Sequence, residues 1–297
     1  MFTIAVITDE VSQDLDRVIA FARDFNLDGI EIRSIWDKPP QDLDDDEIAR
    51  IKDRTGEAGL AVVGVAPPFY KCDIDDDAAC SEHLDILRRS IRVARGLDTP
   101  LVRVFAFWKQ DPLDRFWDRI VDRFLEPVRI AEGEGVVLGL ENEMSTMIGT
   151  GAETRRLIDV LDTPVVKPLW DPCNELFDDD GHAPYPDGYD HIRSDMYHMH
   201  IKDGARGTDG GYVNVPMCEG EIDYRGQFAD LVEQDYEGCV SLETHWRIGP
   251  EQIEQTLLEL PGGKQFSEAG EAASRICMRN TLDLLADLGV ERSGRPA

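Results

Sequence analysis

Three apolar segments in the second half of the chain each end at an acid, and a fourth carries an imidazole. The acids are Glu141, Asp171 and Glu243, and the imidazole is His200. A single acid at a strand end is more often a helix N-cap or a surface residue than a ligand. Four such residues at equivalent positions of neighbouring strands instead predict a divalent-metal site. That site indicates chemistry on a carbonyl or hydroxyl substrate rather than a binding scaffold.

The donor set also indicates the kind of ion and its use. Three carboxylates and one imidazole suit Mn²⁺ best, with Mg²⁺, Co²⁺ and Zn²⁺ as alternatives, whereas structural zinc prefers cysteine and histidine. Such an ion is able to hold a carbonyl oxygen and an adjacent hydroxyl and to stabilise an enediolate as a Lewis acid. Glu141 and Glu243 are then the natural pair to remove a proton and return it to the same carbon or its neighbour.

The rest of the chain alternates short apolar segments with amphipathic helical patterns. The predicted strands are Thr3–Thr8, Gly29–Arg33, Ala61–Val65, Leu101–Phe105, Val136–Glu141, Val165–Trp170, Met196–Lys202 and Cys239–Glu243. The predicted helices are Leu15–Phe25, Glu47–Ala58, Glu82–Arg95, Leu113–Glu132, Ala152–Leu161, Tyr189–Ser194, Tyr224–Gln234 and Glu268–Leu288. Eight strand–helix units predict an α/β fold, a single (β/α)8 TIM barrel over residues 1–297. The active face of this fold lies at the carboxyl ends of its strands, where the acids are.

A doubly wound open sheet is the alternative fold. That fold places a glycine-rich phosphate-binding turn after its first strand. Here Asp9-Glu10-Val11-Ser12-Gln13 follows the first predicted strand instead, so the barrel is favoured.

The acidic composition predicts adaptation to high salt. The chain carries 60 acidic against 31 basic residues, a formal net charge of −29. Such charge repels itself at low salt, whereas molar salt shortens the screening length to about 3 Å. We therefore expect the melting temperature to rise as KCl is increased to molar concentration, as it would in a halophilic cytoplasm. Thermal unfolding at graded KCl checks this, and a melting temperature independent of salt would contradict it.

The sequence also limits the classes of partner that we expect. Nucleic acid is not expected, because phosphate binding needs a basic face and no Lys/Arg stripe is present. No apolar run approaches the roughly 20 residues of a membrane span. The six cysteines form no CxxC pair and the N-terminus lacks the basic start of a signal peptide. We expect a cytoplasmic protein with free thiols and a small sugar-like substrate, and a homo-oligomer is left open.

The strand endings resemble the xylose isomerase-like barrel superfamily of sugar phosphate isomerases and epimerases. The motifs are Leu140-Glu141-Asn142, Trp170-Asp171-Pro172-Cys173-Asn174, His198-Met199-His200-Ile201-Lys202-Asp203, Glu219-Gly220-Glu221-Ile222-Asp223-Tyr224 and Ser241-Leu242-Glu243-Thr244. The resemblance covers essentially the whole chain, with specific motifs from the fifth strand onward. It implies one divalent ion bound by Glu141, Asp171, His200 and Glu243, with the two glutamates as acid/base catalysts.

The resemblance further implies where substrate binds. Arg206 holds the place of an arginine that contacts substrate in related ketose epimerases, six residues after the ligand histidine. Asn174 stands where many relatives carry a histidine, and Met147 replaces a substrate-binding glutamate of the ketose epimerases. These two departures leave the particular sugar open. Trp108 follows a strand end and is predicted to wall the pocket, because sugar sites often need an apolar face.

Five further residues near the predicted site have weaker signals. Lys202 either neutralises an anionic substrate or enediolate, or pairs with a strand-end acid. Glu143 and His245 lie just beyond ligand positions and are predicted to orient the ligands. His198, one layer deeper, is interpreted as a packed, hydrogen-bonded core residue. Glu31 either reaches the barrel mouth or forms a salt bridge with Arg33 or another neighbour.

These features favour a metal-dependent isomerase or epimerase of a polyhydroxy carbonyl compound. The second hypothesis is a dehydratase acting on an inosose-type cyclic polyol or on dehydroshikimate, because such lyases of the superfamily also begin with metal-assisted proton removal. An AP endonuclease-like enzyme is a remote alternative, since it needs three zinc ions, more histidines and a basic surface. A non-catalytic sugar-binding barrel would lose the acid pair, and both glutamates are present.

Overall fold

Eight parallel strands close into a barrel in a computed structural model that describes residues 2–207, 211–249 and 262–290. The barrel strands are β1 (Thr3–Ile7), β2 (Gly29–Ile32), β3 (Ala61–Val65), β4 (Leu101–Val104), β5 (Val137–Glu141), β6 (Val166–Trp170), β7 (His198–Ile201) and β10 (Cys239–Leu242). Their order around the barrel is β1-β10-β7-β6-β5-β4-β3-β2. Two further strands, β8 (Asp203–Arg206) and β9 (Tyr212–Val215), pair as an antiparallel hairpin outside it. The predicted (β/α)8 barrel is confirmed.

Helices alternate with these strands and cover the outside of the barrel. They are α1 (Leu15–Asp24), α2 (Asp45–Ala58), α3 (Asp77–Gly96), α4 (Trp117–Glu134), α5 (Gly151–Leu161), α6 (Pro172–Phe177), α7 (Tyr224–Glu233), α8 (Lys264–Ser267) and α9 (Gly270–Asp287). The strands are buried almost throughout, as is expected when side chains fill the inside and helices cover the outside. Among the described residues no helix combines the length and apolarity needed to cross a bilayer.

Part of the acidic surplus serves to start helices. Asp44 and Glu47 form a reciprocal capping box at the start of α2, and Asp76 accepts hydrogen bonds from two backbone N–H groups at the start of α3. Acidic side chains there satisfy donors that have no partner within the helix and complement the helix dipole. The Asp76 cap also explains why α3 begins at Asp77, five residues before the predicted start at Glu82.

Three predicted segments differ from the structure. No helix was predicted between the sixth strand and Tyr189, but α6 lies there, capped by Asp171 and opened by Pro172. No strand was predicted between the seventh strand and Tyr224, but the hairpin β8–β9 lies there. The predicted helix Tyr189–Ser194 is mostly turns, because the helical turn lies just before it, at Pro184–Gly188. Of the predicted loop at Pro261-Gly262-Gly263, Pro261 lies outside the described residues.

Candidate metal centre

The structure brings the four predicted metal ligands together at one end of the barrel. Glu141 ends β5, Asp171 follows β6, His200 lies on β7 and Glu243 follows β10. One ligand atom from each side chain lies within 4.8 Å of those of the other three, and all four residues are buried. Ligands on opposite sides of an ion with bonds of about 2.2 Å are about 4.4 Å apart, so small adjustments suffice.

Asp171 serves as a helix cap while one of its oxygens faces the cluster. Its Oδ1 accepts hydrogen bonds from the backbone N–H groups of Cys173 (2.9 Å) and Asn174 (3.0 Å), which begin α6. The Asn142 side chain fixes the Asp171 backbone by donating to its carbonyl (2.9 Å) and accepting from its N–H (2.8 Å). The helix start and the strand end therefore hold Oδ2 in place.

His200 lies inside the barrel, with glutamates on both sides of its ring. Its Nδ1 is 3.1 Å from Glu141 Oε1 and 4.0 Å from Glu243 Oε2, and its Nε2 is 3.0 Å from Glu31 Oε1. Burial acts to lower the pKa of this imidazole, but the carboxylates of Glu31 and Glu141 outweigh it and raise the pKa to about 10. A proton therefore competes strongly with a metal ion for this side chain.

Lys202 brings a buried positive charge to the same cluster. Its ammonium donates to Asp171 Oδ2 (2.5 Å) and Glu243 Oε2 (2.6 Å). Burial raises the pKa of Asp171 to about 7. The Lys202 ammonium acts to lower this pKa, whereas the charge of Glu243 acts to raise it. Burial also acts to raise the pKa of Glu243, but Lys202, His245 and Arg33 together outweigh it and hold that pKa well below its usual range. Glu243 is therefore a carboxylate at neutral pH.

Arg33, which follows β2, is a site residue that the sequence analysis did not assign. Its guanidinium pairs with Asp9 Oδ1 (2.9 Å) and Glu10 Oε1 (2.7 Å), and it also donates to Glu243. Of the alternatives for Glu31, the structure has ion-pair contacts with other neighbours, the imidazoles of His198 and His200, and not with Arg33. Alternation along the predicted second strand placed both residues on one side, which was the available signal.

The two residues predicted to orient the ligands have different surroundings. His245 Nε2 lies 3.4 Å from both Glu243 Oε1 and Glu10 Oε1, and its backbone is in the left-handed region, with φ of 46°. Glu143 instead pairs with Lys71 at 3.0 Å. Burial acts to raise the pKa of Glu143, but Lys71 and Lys202 outweigh it and lower that pKa to about 2. His245 thus touches a predicted ligand, whereas Glu143 places a second ion pair beside the site.

Three predicted substrate contacts lie around the cluster rather than in it. Trp108 is half-buried, and the Lys71 ammonium lies 5.6 Å from its ring centre. The amide nitrogen of Asn174 donates to the Asn142 carbonyl (2.8 Å), so a substrate contact would use its Oδ1. Arg206 is exposed on β8 and donates to the Tyr212 hydroxyl (2.9 Å) on the hairpin.

The cluster fits a hard divalent ion by the chemistry of its donors. Three carboxylates and one imidazole are the ligands that Mn²⁺, Mg²⁺ or Zn²⁺ accept. Among the described residues, the buried Oε2 of Glu141 has no hydrogen-bond partner, although the Arg103 guanidinium lies 3.2 Å away. That guanidinium already offers this oxygen a positive charge, so the fit to an ion rests on the donor set of the four side chains.

The closed parallel barrel carries this cluster at the carboxyl ends of its strands. The protein is therefore of the class of parallel barrels with a candidate divalent-metal centre. The chain belongs to the xylose isomerase-like TIM barrel family, whose sequence model matches residues 19–269.

The chain is similar in sequence to a dehydratase and in structure to an epimerase. Inosose dehydratase of Serratia proteamaculans is 28% identical over 153 residues, which cover 44% of this chain and 48% of that protein, so the match spans about half of the relative. The structure of L-ribulose 3-epimerase is similar with a TM-score of 0.67 at 21% identity, over 99% and 100% of the two chains. The IolI protein with a bound zinc atom gives a TM-score of 0.71 at 17% identity, over 97% and 99%.

Proposed function

We propose that the protein is a divalent-metal-dependent isomerase or epimerase of a sugar or related polyhydroxy carbonyl compound. One observation carries the proposal. Two buried glutamates, Glu141 and Glu243, converge with Asp171 and His200 on one centre at the carboxyl ends of the strands. This arrangement combines an ion site with two carboxylates that can exchange protons with a bound substrate. The epimerase among the similar structures supports the same reading.

The four side chains would hold one ion, for which Mn²⁺ is our first choice and Zn²⁺ is supported by the zinc atom of the IolI structure. When bound, that ion would supply Lewis-acid polarisation of the substrate carbonyl. Glu243 is ionised at neutral pH because Lys202, His245 and Arg33 together outweigh its burial, so it is available to accept the proton beside the carbonyl. Glu141 would enter the cycle protonated and deliver that proton to the product carbon. Exchange with solvent after product release would then return Glu243 to the carboxylate and Glu141 to the acid. The buried cluster excludes water, which protects the reactive carbon between the two transfers.

Lys202, Trp108, Asn174 and Arg206 are the proposed substrate contacts. Lys202 is buried, with only 4% of its side chain exposed, and it can donate to a substrate oxygen that develops negative charge. Trp108 offers an apolar ring face of the kind that sugar pockets use. Arg206 would reach substrate only from the hairpin above the mouth, so we assign it to the outer end of the substrate.

A dehydratase is the second candidate function, and Lys202 is the observation that favours it. Loss of a hydroxyl beside a carbonyl needs an acid that protonates the departing oxygen, in addition to the base that removes the proton. Lys202 is a buried ammonium in contact with Asp171 and Glu243, so it lies where such an acid is needed. The partial match to an inosose dehydratase supports this candidate as well.

Deuterium exchange tests the proposal and separates the two candidates. Candidate ketoses, inososes and dehydroshikimate are incubated with the protein and Mn²⁺ in D₂O, and products are followed by NMR and mass spectrometry. We expect label at the carbon beside the carbonyl together with an epimer or isomer. Loss of one water from the substrate would establish the dehydratase instead. Neither exchange nor elimination with any substrate, despite a bound ion, would contradict both.

The affinity for the metal ion should rise with pH. Glu31 and Glu141 raise the pKa of His200 to about 10, so an ion must displace a proton from this imidazole at any lower pH. Each displaced proton strengthens the apparent affinity by up to about tenfold per pH unit. Asp171, with its pKa raised to about 7, adds to the slope below that pH. Mn²⁺ titrations at about pH 6 and pH 8 check this, and an affinity that is flat or falls with pH would contradict it.

A further inference from the structure

A third glutamate, outside the four predicted ligands, holds both imidazoles of β7. Glu31 Oε2 lies 2.9 Å from His198 Nε2, and Glu31 Oε1 lies 3.0 Å from His200 Nε2. All three side chains are buried, and the two rings stand nearly perpendicular, at 85°. Each carboxylate oxygen of Glu31 is therefore used by a different ring.

These contacts determine which nitrogen of His200 faces the candidate centre. A carboxylate oxygen only accepts hydrogen bonds, so Nε2 carries a proton and donates it to Glu31. The opposite nitrogen, Nδ1, points to Glu141 Oε1 at 3.1 Å and Glu243 Oε2 at 4.0 Å. A ring held in this way presents Nδ1 to an ion, and rotation of the ring would break the contact with Glu31.

The barrel backbone is irregular at the point where it supplies this carboxylate. The pairing of β2 with β3 shifts between Ile30 and Glu31, where Ile30 pairs with Val62 but Glu31 pairs with Gly64. Such irregularities redirect side chains and are frequent beside active sites. Glu31 comes from β2 and reaches β7, which is three strands away around the barrel. The contact thus crosses the barrel interior rather than linking neighbouring strands.

We propose that Glu31 is a positioning residue for the metal centre: it fixes the ring of His200 so that Nδ1 faces the ion, and His198 anchors its second oxygen. The proposal rests on the metal centre of the proposed function. Residues that hydrogen-bond to a ligating histidine typically affect metal affinity by about 10–100-fold, because they fix its tautomer and orientation. Glu31 does not itself belong to the four-ligand set.

A second ion is the competing explanation for the same residues. Glu31, His198 and His200 also offer ligand atoms within 4.8 Å of one another, so they could in principle share His200 with the first site. Separations of 2.9 and 3.0 Å are those of direct N–H···O hydrogen bonds. Glu10, Glu243 and His245 form another candidate group, so stoichiometry alone does not decide. The proposal requires that Glu31 and His198 hold no ion of their own. A second ion per chain that Glu31→Gln and His198→Asn each remove would overturn it.

The test measures metal binding rather than turnover. Co²⁺ and Mn²⁺ affinities of the full chain are determined by competition with a chromogenic chelator, together with the visible spectrum of bound Co²⁺. For Glu31→Gln we expect an affinity about 10–100-fold weaker than that of the unmodified chain and an altered Co²⁺ spectrum. Glu31→Asp keeps the charge but shortens the side chain, so it should also weaken metal binding. Wild-type affinity in both variants would overturn the proposal.

Two further variants separate positioning from charge and from misfolding. Glu143→Gln removes another carboxylate beside the site, a half-buried one that contacts Lys71 and not His200, so its loss of affinity should be smaller. An equal loss in Glu143→Gln would overturn the proposal. Should Glu31→Gln fail to fold, His198→Asn removes only the anchor of Glu31 and should weaken binding less than Glu31→Asp. Failure of the unmodified chain to bind any ion would instead refute the metal centre itself.

Discussion

Turnover should fall by about 10²–10⁴-fold when either Glu141 or Glu243 is replaced by glutamine, because each substitution removes one acid/base group while keeping the shape of the side chain. Both residues are buried at the candidate centre, and the amide oxygen of glutamine can still contact an ion. The measurement is kcat with saturating Mn²⁺, with bound metal quantified for each variant. Saturation matters, since a loss caused by an absent ion would otherwise look like a loss of proton transfer.

Proton exchange in D₂O gives the sharper outcome for this pair. Each glutamate is expected to serve one face of the substrate. Glu243→Gln should then abolish the exchange that starts from one epimer. Glu141→Gln should abolish the exchange that starts from the other epimer. A single residue that blocks exchange from both epimers would show that one base serves both faces. Normal exchange from both epimers in either variant would refute the acid/base role of that residue. Glu143→Gln, which changes a carboxylate paired with Lys71, is the matched control.

The local pattern of the chain was enough to predict the eight barrel strands and to bring the four candidate ligands to one site. Each ligand ends or follows an apolar strand, and side-chain alternation together with the barrel rule places such residues at one face. The sequence also carries a signal for the start of α6, because an acidic cap followed by Pro172 at the first helical position indicates a helix.

The partners of the buried charges could not be predicted from local pattern. Arg33 meets Glu243 across 210 positions of sequence, and His198 meets Glu31 across 167. Such pairs exist only once the barrel has closed, and they depend on side-chain rotamers that periodicity does not determine. Which oxygen of Asp171 caps α6 and which meets Lys202 is decided in the same way. Halophilic character and cytoplasmic location stay predictions from composition.

Replacing Lys202 by methionine should have the largest effect on stability. The ammonium compensates Asp171 and Glu243, and all three side chains are at most 4% exposed. Removal of one partner of a buried ion pair typically costs about 3–5 kcal/mol, because the remaining charges are left buried and unpaired. Methionine keeps most of the volume, so packing changes little. Denaturant unfolding in the presence of a chelator should show the loss. The exposed pair Lys52–Asp98 supplies the control Lys52→Met, for which we expect little change.

The same variant should gain more from a divalent ion than the unmodified chain does. Lys202 and the ion compete for oxygens of Asp171 and Glu243, so its removal should strengthen metal binding while it weakens the protein in chelator. A ligand that binds only the folded state adds stability in proportion to the logarithm of its concentration over its dissociation constant. Saturating Mn²⁺ should therefore restore much of the lost free energy of unfolding. An identical deficit with chelator and with Mn²⁺ would contradict the sharing of oxygens between Lys202 and the ion.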